Sequence, residues 1–88
     1  MPPLRVTTVT VPVDGRSLTL FETYPARTPL LTIATTRPAL LVTLTLPQRL
    51  DAGHVRFARD LARSAARYAT EVERAWRGLP PLPAAKPA

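Results

Sequence analysis

Six arginines recur at near-helical spacing late in the chain: Arg56, Arg59, Arg63, Arg67, Arg74 and Arg77. Projected at about 100° per residue, they fall in one stripe. A planar guanidinium donates two parallel hydrogen bonds to a phosphate or carboxylate, so such a row suits an anionic partner. At 1.5 Å per residue the stripe runs about 31 Å, comparable with one turn of duplex DNA. Contact with a phosphate backbone is therefore geometrically possible. Base reading is not implied, because the chain has no Asn and a single Gln, Gln48, and these are the residues suited to adenine. The residues expected to bind nucleic acid are Arg56, Arg59, Arg63, Arg67 and Arg74, with Arg16 and Arg37 beside turns as secondary contacts. The competing expectation is a solvated face whose arginines pair along the helix, as Arg56–Asp60, Arg67–Glu71 and Glu73–Arg77. Each such pair stabilises a helix by about 0.2–0.5 kcal/mol, and three of the six arginines would remain in excess.

Other chemistry is poorly supplied. The chain has no cysteine and one histidine, His54, which excludes thiolate chemistry and any His- or Cys-rich ligand spacing. His54 stands in the first helical turn, where a capping or solvent-facing role is expected. Asp51, Asp60, Glu71 and Glu73 suit capping and ion pairing better than paired acid–base work. No phosphate-cradling glycine loop or nucleophile elbow is present. The expectation is a non-enzymatic protein with no cofactor and no metal. A stacking platform for single strands is also disfavoured, since only Phe21 and Tyr24 are available on the strand-rich half.

Twelve basic residues against six acidic ones give a formal net charge of +6. That balance favours anionic partners: nucleic acid first, an acidic protein next, an anionic membrane surface third. A membrane-surface role ranks last because the apolar face of the helix is Ala-rich and shallow. No apolar run approaches the roughly 20 residues of a membrane span, and the N-terminus lacks the pattern of a secretory signal. A cytoplasmic protein is expected.

The arginines need a helix to align them. Asp51 is a natural N-cap, and Gly78 followed by Pro80 and Pro81 marks the end, so one helix is expected over residues 51–77. Ala58, Leu61, Ala65, Tyr68, Val72 and Trp76 form an apolar stripe opposite the arginines. This stripe would pack on a sheet, overhang it at one end and serve as a homodimer interface with Tyr68 and Trp76 as anchors. Before the helix, strands are expected over residues 4–13, 18–23, 30–35 and 39–46. Asp14-Gly15 reads as a hairpin turn, residues 24–29 as a loop and residues 36–38 as a second turn.

These elements predict an α+β fold: a four-stranded antiparallel β-sheet meander followed by one long C-terminal amphipathic helix on one face. Residues 1–78 would form a single domain, and residues 79–88 a Pro/Ala-rich disordered or polyproline-II tail. The element order resembles that of whirly-type and transcriptional-coactivator-type single-strand DNA-binding domains, which dimerise. The resemblance covers residues 4–77 in topology alone and assigns no role to any residue. The expected function is sequence-tolerant DNA or RNA binding in an accessory or regulatory role. A structural or adaptor module that engages an acidic protein partner is the alternative.

Overall fold

The computed structural model describes residues 5–83. The chain divides into two compact units, Met1–Arg49 and Leu50–Ala88. The first holds β1 (Leu18–Tyr24), β2 (Arg27–Thr36) and β3 (Ala39–Leu44), and the second holds α1 (Ala52–Trp76). The fold is thus α+β, an antiparallel sheet in the order β1-β2-β3 with one C-terminal helix. No helix among the described residues is long and apolar enough to cross a membrane.

Among the described residues the sheet has three strands where four were expected. Residues 5–14 belong to no strand, and residue 4 lies outside the described residues. Val6, Val9 and Val13 are exposed. Alternating Val and Thr supply a preference for extended backbone, but a strand also needs a neighbouring ladder, and Pro12 cannot donate to one. Asp14-Gly15 consequently makes no hairpin. It forms a local turn instead, in which the Ser17 N–H donates to the Asp14 carbonyl at 3.1 Å and the Arg16 N–H to Asp14 Oδ1 at 2.9 Å.

The two hairpins lie further along. Tyr24 pairs with Arg27 around Pro25-Ala26, and Thr36 pairs with Ala39 around Arg37-Pro38, whose peptide bond is cis. The loop expected over residues 24–29 is therefore only two residues long, and β2 begins at Arg27. It carries Pro29 inside the sheet by means of a bulge: between Glu22/Leu30 and Tyr24/Arg27 the register shifts, giving β2 one extra residue. A bulge is where a residue lacking an N–H is tolerated in a strand. On the other side of Pro29, β3 stops at Leu44 rather than reaching residue 46, and the Leu46 carbonyl accepts instead from Thr28 Oγ1 at 3.2 Å.

Cross-strand pairing sorts the side chains into two faces. One carries Phe21, Leu31, Leu44, Ile33, Val42 and Leu40; the other carries Leu18, Leu20, Leu30 and Leu41, with a Thr32–Thr43 hydroxyl pair at 3.0 Å. Both faces are apolar enough to need cover. Among the described residues only Thr35 is buried, its hydroxyl donating to the Pro38 carbonyl at 2.7 Å across the cis turn.

The helix is closed at both ends by residues that its sequence advertises. Asp51 Oδ1 accepts from the Gly53 N–H at 2.8 Å and the His54 N–H at 3.2 Å. His54 Nδ1 in turn accepts from the Asp51 N–H at 2.9 Å, completing a capping box with histidine in the place usually held by Glu or Gln. A Cβ on Gly53 would lie 3.0 Å from Asp51 Oδ1, so glycine at this point leaves the cap room. At the far end Gly78 takes φ 74°. Its N–H donates to the Ala75 carbonyl at 3.0 Å and the Leu79 N–H to that of Arg74 at 2.8 Å, the two bonds of a Schellman motif. Replacing Asp51 by Ala removes the acceptor of two first-turn N–H groups and is expected to destabilise the helix by about 1 kcal/mol. Thermal melting followed by far-UV circular dichroism checks this, and an unchanged midpoint would show that the cap is dispensable.

Candidate nucleic-acid interface

A cap at Asp51 and a stop at Gly78 hold 25 helical residues in register, and this places the arginines on one ridge. The sequence leaves open which of them are engaged within the chain. Arg63 pairs with Asp60 at i,i+3, leaving its side chain 73% exposed, and Arg77 pairs with Glu73 at 2.9 Å. The expected pairs Arg56–Asp60 and Arg67–Glu71 are not made. Asp60 is taken by Arg63, and Glu71 Oε1 accepts the Leu82 N–H at 3.0 Å. Among the described residues Arg56, Arg59 and Arg67 have no carboxylate partner, and all three are exposed.

Arg74 behaves differently. Its Nε and Nη2 both donate to the Pro80 carbonyl, at 3.0 and 2.8 Å, and the residue is half-buried. The Schellman turn reverses the chain direction, and residues 79–83 return along the helix. There Leu82 and Pro83 join Ala66, Arg67, Thr70 and Glu71 around a shallow groove. The first part of the expected disordered tail is therefore docked, while residues 84–88 lie outside the described residues. Arg56, Arg59, Arg63 and Arg67 lie N-terminal to Arg74 and span about 17 Å, roughly half a duplex turn, while Arg77 beyond it stays exposed and paired with Glu73.

The secondary candidates Arg16 and Arg37 belong to the sheet unit. Together with Asp14, Gly15 and Thr36 they line one open depression. Asp14 organises it by accepting from the Arg16 N–H, from Ser17 Oγ at 3.3 Å and from Thr36 Oγ1, which ties the Asp14 turn to the end of β2. The Thr36 hydroxyl, followed by the Arg16 N–H, holds the Asp14 carboxyl below its ordinary value. A third sheet arginine, Arg27, lies over the Tyr24 ring at 4.7 Å. The Tyr24 hydroxyl donates to Glu22 Oε2 at 2.9 Å, and this bond raises its pKa. Among the described residues no group of three or more His, Cys, Asp or Glu side chains is placed to hold a metal ion.

The expected self-association stripe lies on α1 across from the ridge. Tyr68, Val72 and Trp76 are 64%, 50% and 82% exposed, Ala58 and Ala65 are exposed, and Leu61 is half-buried. Two stripe residues were missed by the sequence reading: half-buried His54 and Phe57, which is 48% exposed. Leaving Ala58 at the edge, His54, Phe57, Leu61, Ala65, Tyr68, Val72 and Trp76 stand at intervals of 3, 4, 4, 3, 4 and 4. That is an 11-residue repeat, a periodicity visible in the sequence once intervals rather than residue types are counted. The chain matches no known protein-family model, no curated protein and no solved structure.

The Asp14 turn yields a pH prediction. Its folded pKa lies below the unfolded value of about 3.9. Its contribution to stability is therefore present above that unfolded value and is lost as pH falls through the folded one. Carbon-detected NMR titration should place the Asp14 midpoint below that of an unfolded-peptide aspartate, and Thr36→Val should move it upward. A midpoint unmoved by Thr36→Val would remove the hydroxyl as the cause.

Proposed function

We propose that this is a small, basic, non-enzymatic nucleic-acid-binding protein, cytoplasmic and homodimeric, which grips DNA or RNA backbone without reading sequence. An accessory or regulatory role suits such binding. The observation that carries the reading is the set Arg56, Arg59 and Arg67. These guanidiniums are exposed along one ridge and lack a carboxylate partner among the described residues. Arg63 joins them, since its bond to Asp60 leaves it accessible, whereas Arg74 is committed to Pro80. Arg16 and Arg37 remain secondary contacts through the Asp14 depression. The stripe of Ala58, Leu61, Ala65, Tyr68, Val72 and Trp76 has two sequence-based roles, sheet packing and self-association. It is proposed here as the self-association face.

Each phosphate neutralised on duplex DNA releases counterions, and the slope of log K against log salt is about −0.9 per phosphate. Four ridge arginines therefore predict an affinity loss of about a hundredfold between roughly 50 and 200 mM salt. Fluorescence anisotropy with labelled duplex and single-stranded oligonucleotides measures it. Arg59→Glu with Arg67→Glu removes no intrahelical partner, and should abolish binding while shifting the melting temperature by no more than a few degrees. Absence of binding by the unaltered chain at the lower salt would reject the proposal in favour of an adaptor that engages an acidic protein.

A further inference from the structure

We infer that α1 pairs antiparallel with α1 of a second copy along its apolar stripe, and that the pair presents two outward arginine ridges able to hold two nucleic-acid segments at once. The second half of this inference rests on the nucleic-acid reading above; the first does not.

The register comes from the spacing of the stripe. From Phe57 the intervals to Leu61 and Ala65 are four and four; from Trp76 back to Val72 and Tyr68 they are also four and four. One antiparallel register therefore sets Phe57 against the second copy's Trp76, Leu61 against Val72 and Ala65 against Tyr68, with each layer occurring twice. Small meets large at the centre, as close packing requires. A parallel pair would instead place Tyr68 on Tyr68 and Ala65 on Ala65, alternating thick and thin layers. An 11-residue repeat advances 3.67 residues per turn, close to the 3.6 of a straight helix, so the seam stays on one side along its whole length.

The area suffices. A whole aromatic side chain buries roughly 200 Å². On that scale the exposed fractions of Phe57, Tyr68 and Trp76 supply on the order of 400 Å² per helix and 800 Å² per pair. Leu61 and Val72 bring the total to roughly 1,000 Å², the lower bound that a specific interface must clear. One flank opposes pairing: Asp60 would face the second copy's Glu71. Each of these carboxylates is already engaged, by Arg63 and by the Leu82 N–H respectively.

The geometry also disfavours a lipid surface as the occupant. The stripe and the ridge stand about 170° apart around the helix, so a helix lying on a bilayer through its stripe would aim its arginines away from the headgroups. In a helix pair the same separation sends the two ridges to opposite sides. That arrangement leaves each free for its own polyanion.

The chain has no cysteine, so introduced thiols report pairing without background. Leu61→Cys and Val72→Cys chains, carried on differently tagged full-length protein, are mixed and oxidised under mild conditions. A 61–72 heterodimer, with neither variant cross-linking to itself, is the expected result. Self-cross-linking of either variant, or no cross-linking at all, overturns the antiparallel pair. Phe57→Cys with Trp76→Cys repeats the test should the first pair fail to fold. By sedimentation the unaltered chain should be a dimer and Tyr68→Glu a monomer of unchanged helicity. A unaltered chain that stays monomeric, or that binds phosphatidylserine vesicles through a Tyr68-dependent contact, assigns the stripe elsewhere and overturns the proposal.

Bridging is read by capture of a free fluorescent duplex on beads that carry a second duplex. The unaltered protein should capture it, whereas Tyr68→Glu should bind the bead duplex and capture at least tenfold less. Cross-linking in register with single-duplex binding but no capture refutes the two-ridge geometry. Cross-linking in register with no duplex binding leaves the helix pair standing and refutes the nucleic-acid reading.

Discussion

The arginine ridge and the apolar stripe of α1 lie nearly opposite one another, and this separation conditions every use of the helix. A rod touching a flat surface through one face turns the other face to solvent. One broad partner therefore cannot satisfy both stripes. Water is an adequate partner for guanidiniums but a poor one for Phe57, Tyr68 and Trp76, which are 48%, 64% and 82% exposed. Exposed apolar patches mark interaction surfaces, and the helix exposes Phe57, Tyr68, Val72 and Trp76 along one stripe.

Electrostatics decides whether a chain of net charge +6 tolerates a copy of itself. Paired helices stand about 8–10 Å apart axis to axis. With both ridges pointing outward, their charges are separated by about 20 Å, two Debye lengths or more at physiological salt. In the proposed pair repulsion would therefore be weak, whereas a pairing that brought the ridges together would be opposed strongly. The same outward placement that would make self-association tolerable would also keep the cationic faces accessible.

What was legible in the sequence is whatever a few neighbouring residues determine by themselves. Asp51 caps because its carboxylate reaches N–H groups two and three residues on. Gly78 ends the helix because the next turn needs φ near 74°, which glycine adopts without penalty. β3 begins at Ala39 and alternates as its Leu and Val residues suggest. Features that depended on a distant choice were not legible. The Val-rich residues 5–13 have strand propensity but no ladder. Asp14-Gly15 is a turn, yet its carboxylate is drawn to Thr36, 22 residues away. Pro29 looked like a loop residue because nothing local announces a bulge.

The ridge shows the same division at finer scale. Helical spacing places six arginines in line, but the charge available to a ligand depends on which carboxylates and carbonyls reach them first. Asp60 selects Arg63 over Arg56, and the reversing turn at Gly78 delivers the Pro80 carbonyl to Arg74 and the Leu82 N–H to Glu71. Each exchange is a competition between short-range partners of similar strength, which spacing alone does not rank. The outcome shifts the open ridge toward the N-terminal two-thirds of α1, where Arg56, Arg59 and Arg67 are unpaired among the described residues. The docked segment is thus more than an appendage. It holds Arg74 through the Pro80 carbonyl and flanks Arg67, so the ridge arginines without a carboxylate partner among the described residues all lie N-terminal to it.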